Sequence, residues 1–311
     1  VGNSRFVALC GAIVLALGVV GCGDSDRVSL SGSIRVDGST TVAPLTKAIA
    51  KRFHAEHPDV RITVASTGTD RGFAKLCRRE TDASDAVERI DAAAVSDCAR
   101  AGVETDAIPV VNDALVLVVA PEVPVRCLTT KQLEQIWHGN SEVTTHWSQI
   151  DDLDPPYDGT FNAWGPGIDT ESFFFFTEAV NHNEGETRDY NNVLHRYAYM
   201  IDGVLSSTGN LGYIEYGLYK RNARSVRALE IDSGDGCVAP SPETIADGSF
   251  RPLARRLFVY PSAGALARPT MKAFMQFYLD NAETVAQEIG FVPLTDEQLT
   301  DSKDRLSRLA S

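Results

Sequence analysis

From residue 33 onward the chain alternates short period-two runs with longer stretches in which apolar residues return every three or four positions. Ser33-Ile34-Arg35-Val36 reads as a strand entering the polar turn Asp37-Gly38-Ser39-Thr40-Thr41, after which Val42, Leu45, Ile49 and Phe53 share one helical face. Pro44 sits in the first helical turn, where its missing N–H is harmless, and His57-Pro58-Asp59 closes the helix. The pattern repeats with Arg61-Ile62-Thr63-Val64, the turn Ser66-Thr67-Gly68-Thr69-Asp70, and a helix carrying Phe73, Leu76 and Cys77. Two consecutive strand-turn-helix units predict an open α/β sheet flanked by helices.

Further along, residues 91–101 read as a helix. Residues 107–111 and 114–119 form near-continuous apolar runs of the kind buried on both faces of a sheet. Thr130 is the expected cap of a helix holding Leu133, Ile136 and Trp137 that stops at Gly139, and Trp147-Ser148-Gln149-Ile150 is a short element. Residues 160–164 read as a strand, followed by a loop and a helix with Phe173, Phe174, Phe175 and Phe176, which are expected in the core and at a lobe contact. Residues 211–214 and 226–231 read as strands around a helix at 216–220, Ser241-Pro242-Glu243 opens another helix, and 257–260 is a strand. Two C-terminal helices, 269–279 and 282–289, are expected to pack back on the first part of the chain. A chain of 311 residues exceeds the size at which a single core stops growing. The expected division is one lobe from 33–112 plus 257–311 and another from 113–256.

The N-terminus changes the picture of where the chain works. Arg5 precedes an apolar stretch ending in Val19-Val20-Gly21-Cys22, and that stretch is too short for the roughly 20 residues a spanning helix needs. It resembles a bacterial lipoprotein signal over residues 1–22, with Cys22 as the lipidated first residue of the mature chain and 23–32 as a tether. A plain secretory peptide and an uncleaved anchor are the other readings. The expected location is therefore the cell envelope, outside the cytoplasm, with the membrane met through the lipid anchor only.

A formal charge of −13 argues against a nucleic-acid partner. It also means that any anion site must rely on local hydrogen-bond donors and helix dipoles. Leaving aside Cys10 and Cys22, four cysteines remain, and an even number in an oxidising compartment favours two disulfides. The short loop favours Cys77 with Cys98 and leaves Cys127 with Cys237; one bridge with two buried thiols is the alternative. The histidines, His54, His57, His138, His146, His182 and His195, lack ligand spacing, and no metal or other cofactor is expected.

Candidate chemistry lies in three turns that each follow a strand, precede a helix and are rich in hydroxyls: Ser39-Thr40-Thr41, Thr67-Gly68-Thr69-Asp70 and Asp169-Thr170-Glu171-Ser172. Such turns offer free backbone N–H groups and hydroxyls to an anion, although ordinary N-capping uses the same residue types.

The order of several segments resembles the bacterial phosphate-binding proteins of the phosphate-uptake transporter, the PstS-like family. They run from Asp37-Gly38-Ser39-Thr40-Thr41-Val42-Ala43-Pro44-Leu45 through Asn112-Asp113-Ala114-Leu115, Trp164-Gly165-Pro166-Gly167 and Leu211-Gly212-Tyr213 to Gly290-Phe291-Val292-Pro293-Leu294. The resemblance covers nearly the whole mature chain. It implies a two-lobed class II periplasmic-binding-protein (Venus-flytrap) fold, capture of inorganic phosphate or a similar oxyanion between the lobes, and delivery to the permease subunits of an ABC transporter by a monomer. The turns it points to, with the charged residues beside them, make the candidate ligand set Ser39, Thr40, Thr41, Thr69, Asp70, Arg71, Asp85, Arg89, Asp169, Thr170 and Ser172.

The family's turns are altered here. Asp70 and Arg71 stand where glycine or serine is usual, Glu88 stands at an arginine position, and Glu171 replaces a glycine. A buried phosphate dianion beside an unpaired carboxylate is strongly disfavoured. Either Arg71 and Arg89 compensate and Asp70 or Asp85 accepts a phosphate proton, or Glu88 and Glu171 face solvent, or the ligand has changed or been lost. An extracellular hydrolase would need a nucleophile with a base or a metal site, and no GxSxG or HExxH motif is present. A sensor, signalling or adhesive lipoprotein on the same scaffold is the remaining class.

Overall fold

The computed structural model of the chain describes residues 1–2, 29–139, 144–193 and 198–311. Residues 3–22 of the expected signal segment, Cys22 among them, and His195 lie outside the described residues.

The elements run β1 (Gly32–Gly38), α1 (Ala43–Glu56), β2 (Val60–Val64), α2 (Thr69–Cys77), β3 (Ala83–Ala86), α3 (Ala92–Arg100), β4 (Ile108–Val119), β5 (Cys127–Thr129), α4 (Thr130–Trp137) and a 3-10 turn at Trp147–Gln149. They continue with β6 (Ala163–Pro166), α5 (Glu171–Asn181), β7 (Asn191–Val193), α6 (Ala198–Leu205), β8 (Leu211–Glu215), α7 (Tyr216–Asn222), β9 (Arg227–Ala228), β10 (Glu230–Asp232) and β11 (Cys237–Val238). The chain ends with α8 (Pro242–Ala246), β12 (Ala254–Pro261), α9 (Ala263–Leu266), α10 (Pro269–Ile289) and α11 (Asp296–Leu309).

The main sheet has the order β2-β1-β3-β12-β4-β8-β6-β7, with β9 on β4, and a small sheet has the order β11-β10-β5. Its parallel part, β2-β1-β3, is built from the first strand-turn-helix repeats, as the alternation predicts. β4 joins the two ends of the sheet. Its first half pairs antiparallel with β12, Val111 opposite Leu257, and its second half pairs antiparallel with β8, Val118 opposite Gly212. All twelve of its residues are buried, which explains its two apolar runs, and the buried polar pair Asn112-Asp113 between them joins the runs into one strand.

The buried side chains change clusters at the same places. Ile34, Leu45, Ile49, Phe53, Val111 and Leu257 pack with Phe274 and Tyr278 of α10 in a first core. Leu115, Leu117, Trp137, Trp147, Phe176 and Tyr213 belong to a second. Disulfides Cys77–Cys98 and Cys127–Cys237 are both formed, tying α2 to α3 and β5 to β11.

Several local expectations are corrected. The cap of α4 is Thr129, not Thr130: its hydroxyl accepts from Gln132 N while the Gln132 side chain accepts from Thr129 N, a reciprocal capping box. Residues 269–289 form one helix, because the polar pair Asp280-Asn281 that suggested a break lies on its outer side, where Asp280 meets Lys303 of α11. α11 itself, opened by the Thr295–Gln298 capping box, was not anticipated. Residues 226–231 are two strands, since the chain passes from the edge of β4 to β5 at Leu229. The strand expected at 160–164 starts only at Ala163. Of the four phenylalanines, Phe173 and Phe176 are buried, whereas Phe174 and Phe175 line a cleft. Among the described residues, no helix is long and apolar enough to cross a membrane.

Candidate functional site

The turn between β1 and α1 is held against β3. Ser39 N donates to the Asp85 carbonyl at 2.8 Å, and Gly38, at φ 138°, passes so close that a Cβ there would lie 2.1 Å from the same oxygen. Beneath the turn, the carboxylate of Asp37 accepts from Gly38 N, Thr67 N and the Thr67 hydroxyl and pairs with Lys75. Burial opposes its ionisation, but these donors together hold Asp37 below the usual carboxylate range. The neighbouring turn is anchored by Gly68 N donating to the Gly38 carbonyl, and Gly68 itself, at φ 100°, starts α2. The two turns therefore present their donors side by side at the N-termini of α1 and α2.

Those donors converge on one group, the carboxylate of Glu171. Its Oε2 accepts from the Ser39 hydroxyl at 2.7 Å, the Thr40 hydroxyl at 3.0 Å and Thr41 N at 3.0 Å. Its Oε1 accepts from the Thr69 hydroxyl at 2.8 Å and Thr69 N at 3.1 Å. Glu171 is the first residue of α5, which packs in the second core, so the contact crosses the cleft between the cores. Burial again works against the charge, and the hydroxyl and N–H donors of Ser39, Thr41, Thr69 and Thr40 outweigh it, holding Glu171 below its ordinary value.

Asp85 lies under this cradle on β3, fully buried. Its Oδ1 accepts from the Thr46 hydroxyl, which also meets the Tyr278 hydroxyl, while its Oδ2 has no hydrogen-bond partner. Burial first, then the nearby charges of Glu171 and Asp37, push its carboxyl up to about 8 against the relief given by Thr46.

The remaining expected residues are placed differently. Asp70, Arg71 and Asp169 line the cleft together with Glu171. Thr170 caps α5 by accepting from Phe173 N, and the Ser172 hydroxyl turns away to donate to Glu215. Arg89 lies over the ring of Phe258. Sequence reasoning noted Glu171 only as a departure from a glycine. It missed Arg255, which lies on β12 and is almost fully buried against Asp113 at 3.1 Å and over the ring of Phe175 at 4.4 Å.

The cleft beside the cradle encloses about 580 Å³ and is lined by Asp70, Glu88, Asp169, Glu171, Glu178 and Glu184 against Arg71 and Arg255. Its wall is acidic while its floor is a nest of N–H and hydroxyl donors. Chemically, the donors hold one carboxylate by hydrogen bonds, and the acidic wall disfavours a second negative charge beside it.

Two cores joined by crossing strands, with a donor-lined cleft between them, define a solute-binding protein. The comparisons agree. A PBP superfamily domain model matches residues 27–282. Protein SphX of Synechocystis sp. is 33% identical over 287 residues, covering 91% of this chain and 84% of that protein. The phosphate-binding protein PstS of Staphylococcus epidermidis is 28% identical, covering 96% and 94%. The crystal structure of a possible phosphate binding protein from Planctomyces limnophilus superimposes with a TM-score of 0.77 at 31% identity, covering 91% of this chain and all of that one. The chain belongs to the PBP superfamily, among the PstS-like phosphate-binding proteins, a family of solute-binding proteins and not of enzymes.

Proposed function

We propose that the chain is an extracytoplasmic lipoprotein that captures inorganic phosphate or a related oxyanion in the cradle of Ser39, Thr40, Thr41 and Thr69 and delivers it to an ABC-type permease. In this reading lobe one spans 33–112 plus 257–311, lobe two spans 113–256, and the hinge runs through β4 and β12. The observation that carries it is the convergence of five donors on one pair of carboxylate oxygens. A carboxylate stands there for the oxyanion, sharing its charge and its acceptor geometry. The names of the PstS relatives support phosphate as the anion. Anion capture then consists of lobe closure over the cradle, with the buried Asp85 available to exchange a proton with a protonated oxyanion.

A second reading is favoured by the same carboxylate: a PstS-like scaffold with a changed or lost ligand, closing without solute and acting as a sensor, signalling or adhesive protein. Calorimetric titration with phosphate, sulfate and arsenate separates the two. Capture predicts heat with phosphate and a constant weakened about tenfold or more in Thr40→Val, since a hydrogen bond to a charged group contributes roughly 1.5–3 kcal/mol. No heat from any of the three anions, in the wild type and in a Glu171→Gly variant alike, would overturn the capture reading.

A further inference from the structure

We infer that Glu171 is a tethered counter-ligand: its carboxylate fills the oxyanion cradle in the solute-free protein, holds the two cores together across the cleft, and must swing out before an anion can enter. The inference rests on the reading of the cradle as an oxyanion site and concerns how that site is regulated.

Both oxygens of the side chain are engaged, by five donors between 2.7 and 3.1 Å. Surface carboxylates at helix starts ordinarily bond to the N–H groups of their own first turn. Glu171 instead reaches donors that lie 102 to 132 residues away in the chain, on the opposite side of the cleft, and at two separate helix N-termini. Its own helix is capped independently by Thr170. The contact is therefore additional to what α5 needs.

Two anions cannot share the cradle. At a separation of about 4 Å like charges repel by roughly 4 kcal/mol even with considerable screening, and the donors that would offset this are already used. Entry of an oxyanion is thus an exchange and not an addition. The exchange is sterically open, because Glu171 borders the cavity of about 580 Å³ and can rotate into it about its own side-chain torsions. Self-occupation of about 99% of molecules would lower the apparent affinity for an external anion about 100-fold. It also separates closure from loading, since the Glu171 carboxylate by itself bridges the cores.

The test compares wild type with Glu171→Gly, with Glu171→Gln, which keeps the side-chain length without the charge, and with the remote Glu283→Gln as control. Three quantities are read: phosphate affinity by calorimetry, amide exchange at Thr41 and Thr69 without anion, and the solute-free radius of gyration by small-angle scattering. The expected result is phosphate bound 10- to 100-fold more tightly by Glu171→Gly, with Glu171→Gln between it and the wild type. The variant should also show faster exchange at both amides and an expanded solute-free form that contracts on adding phosphate. Unchanged affinity, exchange and dimensions in a folded Glu171→Gly, with circular dichroism matching the wild type, would overturn the inference. Faster exchange and expansion with no phosphate binding in any variant would leave self-occupation standing and remove phosphate as the anion.

Discussion

The carboxyl of Asp85 offers the sharpest physical test of the site. It is fully buried on β3, keeps one oxygen without a hydrogen-bond partner, and lies near the charges of Glu171 and Asp37. Its folded value of about 8 lies far above the ordinary value of 3.8. Between those limits the native protein holds a proton that the unfolded chain has released, so stability falls as pH rises, by about 1.4 kcal/mol per pH unit. The contribution is complete below 3.8, declines through the neutral range and is gone above about 8. Asp85→Asn removes the titration while keeping the size and the acceptor for the Thr46 hydroxyl. Relative to this variant, the wild type should therefore lose about 4 kcal/mol between pH 5 and pH 8. Denaturant unfolding of both proteins, disulfides intact and without added anion, at single-unit pH steps measures the difference directly. Parallel stability curves would refute the reasoning and mean that Asp85 is ionised throughout the range.

Two further perturbations test how the cradle and its frame are held. Gly72→Ala would gain up to about 1 kcal/mol from helix propensity in α2, but the new methyl would lie 2.4 Å from the Ser84 hydroxyl and 2.5 Å from Gly38 Cα, so a net loss of about 1–3 kcal/mol is expected. A raised melting temperature would show that the β1–α2 contact is looser than described. Replacing Cys127 and Cys237 by serine opens a loop with a sequence separation of 110, against 21 for Cys77 and Cys98. Loop entropy alone makes the first pair more costly to remove, at about 4–5 kcal/mol against about 3, and unfolding titrations giving the reverse order would contradict it.

The parts of the site legible in the sequence were those set by local chemistry. A strand entering a hydroxyl-rich turn that opens a helix leaves N–H groups free, and Ser39, Thr40, Thr41 and Thr69 do converge as such turns require. Of the cysteine pairs, Cys77 with Cys98 was legible from its short loop, and Cys127 with Cys237 followed only by remainder. What escaped depended on side-chain direction or on approach across the cleft. Ser172 follows the cap of its helix as a ligand residue would, yet its position on the first turn of α5 points it at Glu215. Arg89 follows β3 closely, but its side chain lies on Phe258. The gap left at Asp280-Asn281 divided one continuous helix, because a polar pair on a helix surface and a short linker have the same composition. Glu171 was visible as an anomaly, and no reading of its neighbours could place its carboxylate against turns more than a hundred residues upstream.

Glu171, which stands where the resemblance places a glycine, also accounts for the bridge across the cleft. A closed, solute-free cradle would leave several donors without acceptors, at about 1–3 kcal/mol for each one withdrawn from water. A glycine at position 171 could not relieve them, so such a cleft would be expected to stay open until an anion arrived. A glutamate supplies the missing acceptor from the opposite wall, and it does so in a cleft whose other carboxylates, Asp70, Glu88, Asp169, Glu178 and Glu184, would repel one another on closure. The five hydrogen bonds therefore act against that repulsion, and they do so only while the cradle holds an anion of some kind. An entering oxyanion must replace all of them at once while Glu171 joins the acidic wall. If the cradle takes an oxyanion as proposed, a tetrahedral dianion brings more charge and more acceptor atoms to the same five donors than a simple carboxylic acid does, and is expected to displace Glu171 more readily.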